Sequence, residues 1–95
     1  MTDTAAWVYL LRCADGSLYT GWTVDLDRRL RAHARGTASR YTRSRLPVTL
    51  AASFEMHDRT AARREEARIK RLPRAAKLAL LPAGRRSASR RASGR

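Results

Sequence analysis

The chain opens on two short apolar runs, Trp7-Val8-Tyr9-Leu10-Leu11 and Leu18-Tyr19-Thr20-Gly21-Trp22, separated by Ala14-Asp15-Gly16. Such runs around an Asp-Gly signal predict a β-hairpin, with strands over about 7–13 and 17–23. The length of the turn decides which side chains share a face. A two-residue loop, Asp15-Gly16, pairs Tyr9 with Trp22 and sends the two tyrosines to opposite faces. A three-residue loop, Ala14-Asp15-Gly16, with Gly16 left-handed, pairs Cys13 with Ser17, Leu11 with Tyr19 and Tyr9 with Gly21. The second register sorts the side chains better and is preferred. It makes Val8, Leu10, Leu18, Thr20 and Trp22 a core face. Tyr9, Leu11, Tyr19 and Gly21 form the other face, with an empty place opposite Tyr9.

A helical pattern follows over about 25–35. Thr23 or Asp25 can cap it and Gly36 ends it. Leu26 and Leu30 make an i,i+4 apolar pair for the core; Arg29 and His33 make a second pair on the adjacent stripe. A basic loop spans 36–47. Alternation over about 48–56 predicts a third strand, with Val48, Leu50, Ala52, Phe54 and Met56 on one face and Thr49, Ser53 and Glu55 on the other. Asp58 or Thr60 opens a second long helix over about 60–72, Pro73 interrupts, and a short helix covers about 74–81. The order β-β-α-β-α-α predicts an α+β fold, a three-stranded antiparallel sheet flanked by helices. Residues 1–6 read as a short lead, 7–82 as one domain, and 83–95 as a disordered basic tail without strong apolar residues or acids. Ninety-five residues leave no room for a second core.

Charge changes the picture. The net charge is +13, from 21 Lys+Arg against 8 Asp+Glu. Such an excess does not specify a fold, but it points to a polyanionic partner. All but two of the basic residues are arginines, Lys70 and Lys77 being the exceptions, and Asn and Gln are absent, a bias typical of GC-rich coding. Cys13 is the only cysteine, which rules out an internal disulfide and a four-cysteine zinc site. No apolar stretch approaches the ~20 residues of a membrane span, and the first basic residue, Arg12, follows the first apolar run, unlike a signal peptide. The expectation is a soluble cytoplasmic protein with no membrane partner.

The remaining residues are ordered for chemistry. Tyr9 lies in Val8-Tyr9-Leu10 and Tyr19 in Tyr19-Thr20-Gly21; Arg29 comes eight residues after Gly21, His33 four later, and Glu66 sits in the second long helix. This set, with Glu66-Ala67-Arg68-Ile69-Lys70, Leu72 and Arg74-Ala75-Ala76-Lys77 behind it, resembles the GIY-YIG nuclease domain. It is most similar to the small stand-alone bacterial members, relatives of the incision module of the bacterial excinuclease. The namesake letters differ, Thr20 standing for the middle isoleucine, and the late asparagine of some members is missing.

The resemblance implies metal-dependent endonuclease action on DNA, including branched, nicked or single-stranded forms, in repair or recombination. Phosphodiester hydrolysis needs an activated water, positive charge on the phosphorane-like transition state and a proton for the leaving oxygen. Glu66 is the expected ligand of one Mg²⁺ or Mn²⁺; the resemblance alone selects it over Glu65, since both flank the Ala62–Ile69 line equally. Arg29 is placed to clamp the phosphate. The resemblance implies Tyr9 as general base, Tyr19 bonding the phosphate or water, and His33 assisting the proton transfer or positioning Tyr9. A phenol is a poor base at its ordinary pKa near 10, so a field from Arg29 or the metal is expected to favour phenolate.

Gly21 with Arg35, Arg40, Tyr41, Arg43 and Arg45 forms the expected nucleic-acid strip, DNA ahead of RNA, with an aromatic for stacking. A domain this small has little room for its own recognition module, so a partner protein or homodimer is expected to help choose substrate. Two other readings fit the charge: a non-catalytic nucleic-acid binder on the same fold, and a small basic accessory protein that binds RNA.

Overall fold

A computed structural model describes residues 5–82, leaving residues 1–4 and the expected tail at 83–95 outside the described residues. Strands β1 (Ala6–Arg12), β2 (Leu18–Thr23) and β3 (Thr49–Met56) form one antiparallel sheet in the order β2-β1-β3. Helices α1 (Leu26–Arg35) and the short α2 (Arg40–Arg43) lie between β2 and β3; α3 (Arg59–Lys70) and α4 (Arg74–Ala79) follow. The fold is α+β, as the sequence predicts. β1 begins at Ala6, one residue ahead of the expected strand, and α2 is an addition inside the basic loop.

The hairpin takes the three-residue loop. Gly16 sits at φ 86°, its N–H donates to the Cys13 carbonyl, and the Cys13 N–H donates to Ser17 O at 2.9 Å. Asp15 fixes the turn by accepting from the Ser17 N–H and hydroxyl. Tyr9 therefore pairs with Gly21 and Leu11 with Tyr19, putting both tyrosines on one face.

The other face carries the core. Val8 and Leu10 of β1 and Ala52 of β3 pack with Ala62 and Ile69, two turns apart on α3. Trp22, Phe54, Met56, Leu72, Leu80 and Leu81 close around them, half-buried. β1 is central, so its run Ala6-Trp7-Val8-Tyr9-Leu10-Leu11 is apolar on both faces.

Two expectations fail on packing. The alternation of β3 is broken by a bulge: Leu10 pairs with Ala52 but Leu11 with Leu50, so Ala51 is the extra residue. That moves Leu50 onto the Leu11 face and leaves it 44% exposed instead of in the core. Leu26 and Leu30 are only half-buried and lie outside the core cluster. The buried side chain of α1 is His33, which docks the helix onto the tyrosine face, while Arg29 one turn earlier stays exposed.

Candidate active site

β2 is an edge strand, and the glycine in it shapes the site. A Cβ at Gly21 would meet the Tyr9 hydroxyl at 2.5 Å and Tyr9 Cζ at 2.6 Å. The Tyr9 ring thus lies across β2 through the space a side chain would fill. There a cleft of about 390 Å³ opens, walled by Tyr9, Tyr19, Gly21, Trp22 and Thr23 of the sheet, Val24 after it, Arg29 of α1, and Arg59 and Glu66 of α3. Residues from both faces of the sheet line it, which places the cleft at the β2 edge.

Asp25 caps the N-terminus of α1, accepting from the Arg28 N–H, and Gly36 at φ 79° ends it. This fixes Arg29 and His33 one turn apart. His33 Nε2 is 2.8 Å from the Tyr9 hydroxyl, and its Nδ1 is 2.9 Å from Thr42 Oγ1 of α2. Tyr9 and His33 are each 1% exposed and Thr42 is 0%. Tyr19 packs edge-on against His33 at 5.3 Å between ring centroids.

These surroundings set the protonation states. Burial pushes the Tyr9 phenol well above its ordinary value; Tyr19 and Glu66 push the same way, and Arg29 opposes them. Of the two fields expected to favour phenolate, that of Arg29 is present but is outweighed by desolvation. Burial, then Arg29, lowers the pKa of His33, which keeps the imidazole neutral and able to accept a proton.

The two glutamates part company. Glu65 is held by Arg68 of the next turn, at 3.0 and 2.6 Å, and does not wall the cleft. Glu66 does, with Lys70 Nζ 3.2 Å from its Oε2. Among the described residues no three His, Cys, Asp or Glu gather as a metal cage. A lone carboxylate still suits Mg²⁺ or Mn²⁺, which keep several waters and are completed by substrate phosphate. Glu66 would hold such an ion, whose chemistry there is neutralising charge on the phosphate.

The expected strip divides. Arg35, Arg40 and Arg43 are exposed on α1 and α2, outside the cleft. Arg45 is a clamp. Its Nε donates to Asp15 at 3.0 Å, its Nη1 to the Tyr41 carbonyl at 2.9 Å, and its guanidinium lies 3.8 Å over the Tyr41 ring. Tyr41 in turn stacks on Tyr19, 5.7 Å between centroids. The strip's aromatic thus backs Tyr19, a wall of the cleft, without lining the cleft itself. Thr42, Arg59 and Trp22 escaped the sequence reading as site residues. Thr42 had one signal, Ser39 placed to cap a short helix, whereas Arg59 and Trp22 had none beyond their elements. A second cleft, shared through Trp22 and Glu66, adds Arg63 and Arg64.

With this geometry in place, the comparisons decide the family. The model of the GIY-YIG catalytic domain matches residues 5–79. The chain belongs to the GIY-YIG family. This is a family of nuclease type, and the relatives of the GIY-YIG chain are small proteins like itself. A UPF0213 protein of Xanthomonas axonopodis pv. citri is 55% identical over 76 residues, covering 80% of this chain and 74% of that one. A UPF0213 protein of Streptococcus sanguinis is 47% identical, covering 83% and 91%. The solution structure of a UPF0213 protein from Bacillus halodurans is 43% identical with a TM-score of 0.53, over 80% of this chain and 81% of that one. A solution structure from E. faecalis is 32% identical with a TM-score of 0.58, over 95% and 96%. No helix among the described residues is long and apolar enough to cross a membrane.

Proposed function

We propose that this GIY-YIG chain is a metal-dependent endonuclease that hydrolyses phosphodiester bonds in DNA, acting on branched, nicked or single-stranded substrate in repair or recombination. The observation that carries the reading is one cleft walled by Tyr9, Tyr19, Arg29 and Glu66, with His33 bonded behind Tyr9. Arg29 and Arg59 supply two guanidiniums for the scissile phosphate and its neighbour. Because the phenol rests protonated, it serves as a base by relay. Tyr9 takes a proton from the attacking water while passing its own to His33 Nε2, 2.8 Å away. The water oxygen bonds to phosphorus, the bond to the leaving oxygen breaks with its electron pair, and solvent protonates that oxygen. His33 then returns its proton to solvent through Tyr9.

The test is a panel of labelled branched, nicked, single-stranded and duplex DNAs, with matching RNAs, in Mg²⁺, Mn²⁺ and EDTA. Cleavage that needs the metal and is lost in Tyr9→Phe and Glu66→Ala supports the proposal. Cleavage intact in both variants ends it. Salt-sensitive binding without cleavage in either metal would favour the non-catalytic binder.

A further inference from the structure

The relay explains what Tyr9 and His33 do but leaves Thr42 unused. Thr42 is fully buried in a four-residue helix whose neighbouring side chains, Arg40, Tyr41 and Arg43, are exposed. A buried threonine in a basic surface segment needs a reason, and its bonds supply one. Its Oγ1 lies 2.9 Å from His33 Nδ1, 3.0 Å from Ser39 Oγ and 3.4 Å from the Ser39 carbonyl. Ser39 in turn caps α2 by accepting from the Thr42 N–H at 3.1 Å.

Counting protons orders this chain. The Thr42 hydroxyl has one hydrogen. If it is given to Ser39, Thr42 Oγ1 accepts from His33 Nδ1–H, which leaves His33 Nε2 a bare lone pair facing the Tyr9 hydroxyl. Every donor then has an acceptor. If it is given to His33 Nδ1, the imidazole carries its hydrogen on Nε2 and points it at Tyr9. The hydroxyl of Tyr9, a residue 1% exposed, then loses its acceptor within the protein and can donate only into the cleft, and His33 cannot take a proton from it.

We infer that Thr42 is a positioning residue: it holds His33 in the Nδ1–H tautomer, so that Nε2 faces Tyr9 as a proton acceptor. The inference deepens the endonuclease reading and rests on it for its catalytic meaning, though the tautomer itself does not. During the relay one O–H bond of Tyr9 breaks and one N–H bond forms at Nε2, while Tyr9 regains a proton from water. The imidazolium still donates Nδ1–H to Thr42, so the charged form is stabilised where it appears. Tyr9 from β1, Tyr19 from β2 and Arg29 from α1 are the titratable groups that face His33; α2 contributes the uncharged Thr42.

The test uses the full chain with ¹⁵N-labelled histidine, comparing wild type with Thr42→Val, which keeps the shape and removes the oxygen, and Thr42→Ser, which keeps the oxygen. His57, 81% exposed at the side chain, is the internal reference. Wild type and Thr42→Ser should show protonated Nδ1 and bare Nε2 at His33; Thr42→Val should show loss of that preference. In cleavage, Thr42→Val should lose about ten- to a hundredfold in kcat with KM little changed. Its acid limb should shift to lower pH, because the imidazolium has lost an acceptor, and Thr42→Ser should restore both. An Nε2–H tautomer in wild type, or an unchanged Nδ1–H tautomer in Thr42→Val, overturns the inference. If no variant and no wild type cleaves any DNA, the endonuclease reading fails, while the ¹⁵N spectra still decide the role of Thr42.

Discussion

The Tyr9 ring occupies the space that a side chain at Gly21 would need. A Cβ there would stand 2.5 Å from the Tyr9 hydroxyl, closer than real Cβ atoms come to any neighbour. Neither partner has slack. Gly21 is paired in the ladder with Tyr9 itself, and the phenol is tied to His33 at 2.8 Å. Gly21→Ala should therefore rotate the ring off His33. Overpacking of this kind costs about 1–3 kcal/mol, and the expected cleavage rate falls at least tenfold as the relay opens. Urea denaturation and single-turnover cleavage check the two effects separately. A variant with wild-type rate and stability would show that Tyr9 is not held by this contact.

Protonation gives the second prediction, for stability against pH. The folded pKa of His33 lies below the ordinary 6.5, so the unfolded chain binds more protons as the solution turns acid. Its contribution is present above about pH 6.5 and is lost as pH falls from there through the folded value. Tyr9 runs the other way. Its folded pKa lies above the ordinary 10.0, so its contribution is present below that pH and is lost as pH rises beyond it. Melting temperature should decline on both sides of this window. Tyr9→Phe should flatten the alkaline decline and leave the acid one. A Tyr9→Phe profile that matches wild type above pH 10 would contradict burial as the cause.

The relation of Tyr9 to Gly21 was readable before the fold because the turn allows only two lengths and side-chain sorting chooses between them. The three-residue loop alone puts Val8, Leu10, Leu18 and Trp22 on one face and both tyrosines on the other. What stayed hidden depends on contacts the chain makes at a distance. Nothing in Leu50-Ala51-Ala52 marks Ala51 as a bulge, since the alternation simply runs through it. Leu26 and Leu30 outweigh His33 in hydropathy, yet two buried hydrogen bonds dock α1 through His33. Arg45 reads as a loop cation until the fold brings it to Asp15, thirty residues away. For the same reason Tyr9 reads as a base acting alone until its bond to buried His33 is known.

Glu65 and Glu66 are neighbours in sequence with opposite expected consequences. Glu65 holds Arg68 on the helix surface, and an exposed i,i+3 pair contributes little to stability. Glu65→Gln should melt within a degree or two of wild type and cleave normally. Glu66 walls the cleft and is the proposed metal ligand. Glu66→Gln should abolish metal-dependent cleavage while leaving the fold intact, with only the Lys70 contact weakened. Titrating Mn²⁺ into both variants in the presence of DNA and following cleavage checks the assignment. Loss of activity in Glu65→Gln with retention in Glu66→Gln would reverse it.

The arginines of the basic loop should separate into two kinds when binding is measured against salt. Arg40 and Arg43 extend from α2 into solvent, where a phosphate can replace water around them at little cost. Each contact neutralises one phosphate and releases counterions, so each alanine substitution should reduce the slope of log K against log salt by about one. Arg45 is committed to Asp15, to the Tyr41 carbonyl and to the face of the Tyr41 ring. Arg45→Ala should leave the slope nearly unchanged and instead lower stability slightly, since the pair is partly exposed. Because Tyr41 stacks on Tyr19, that loss should also reach the cleft as a reduced kcat. Asp15→Ala should release the Arg45 Nε bond together with the Ser17 bonds of the turn, and leave the Tyr41 contacts of Arg45 in place. A slope that falls by a full unit in Arg45→Ala, with stability unchanged, would make Arg45 a phosphate contact rather than a clamp.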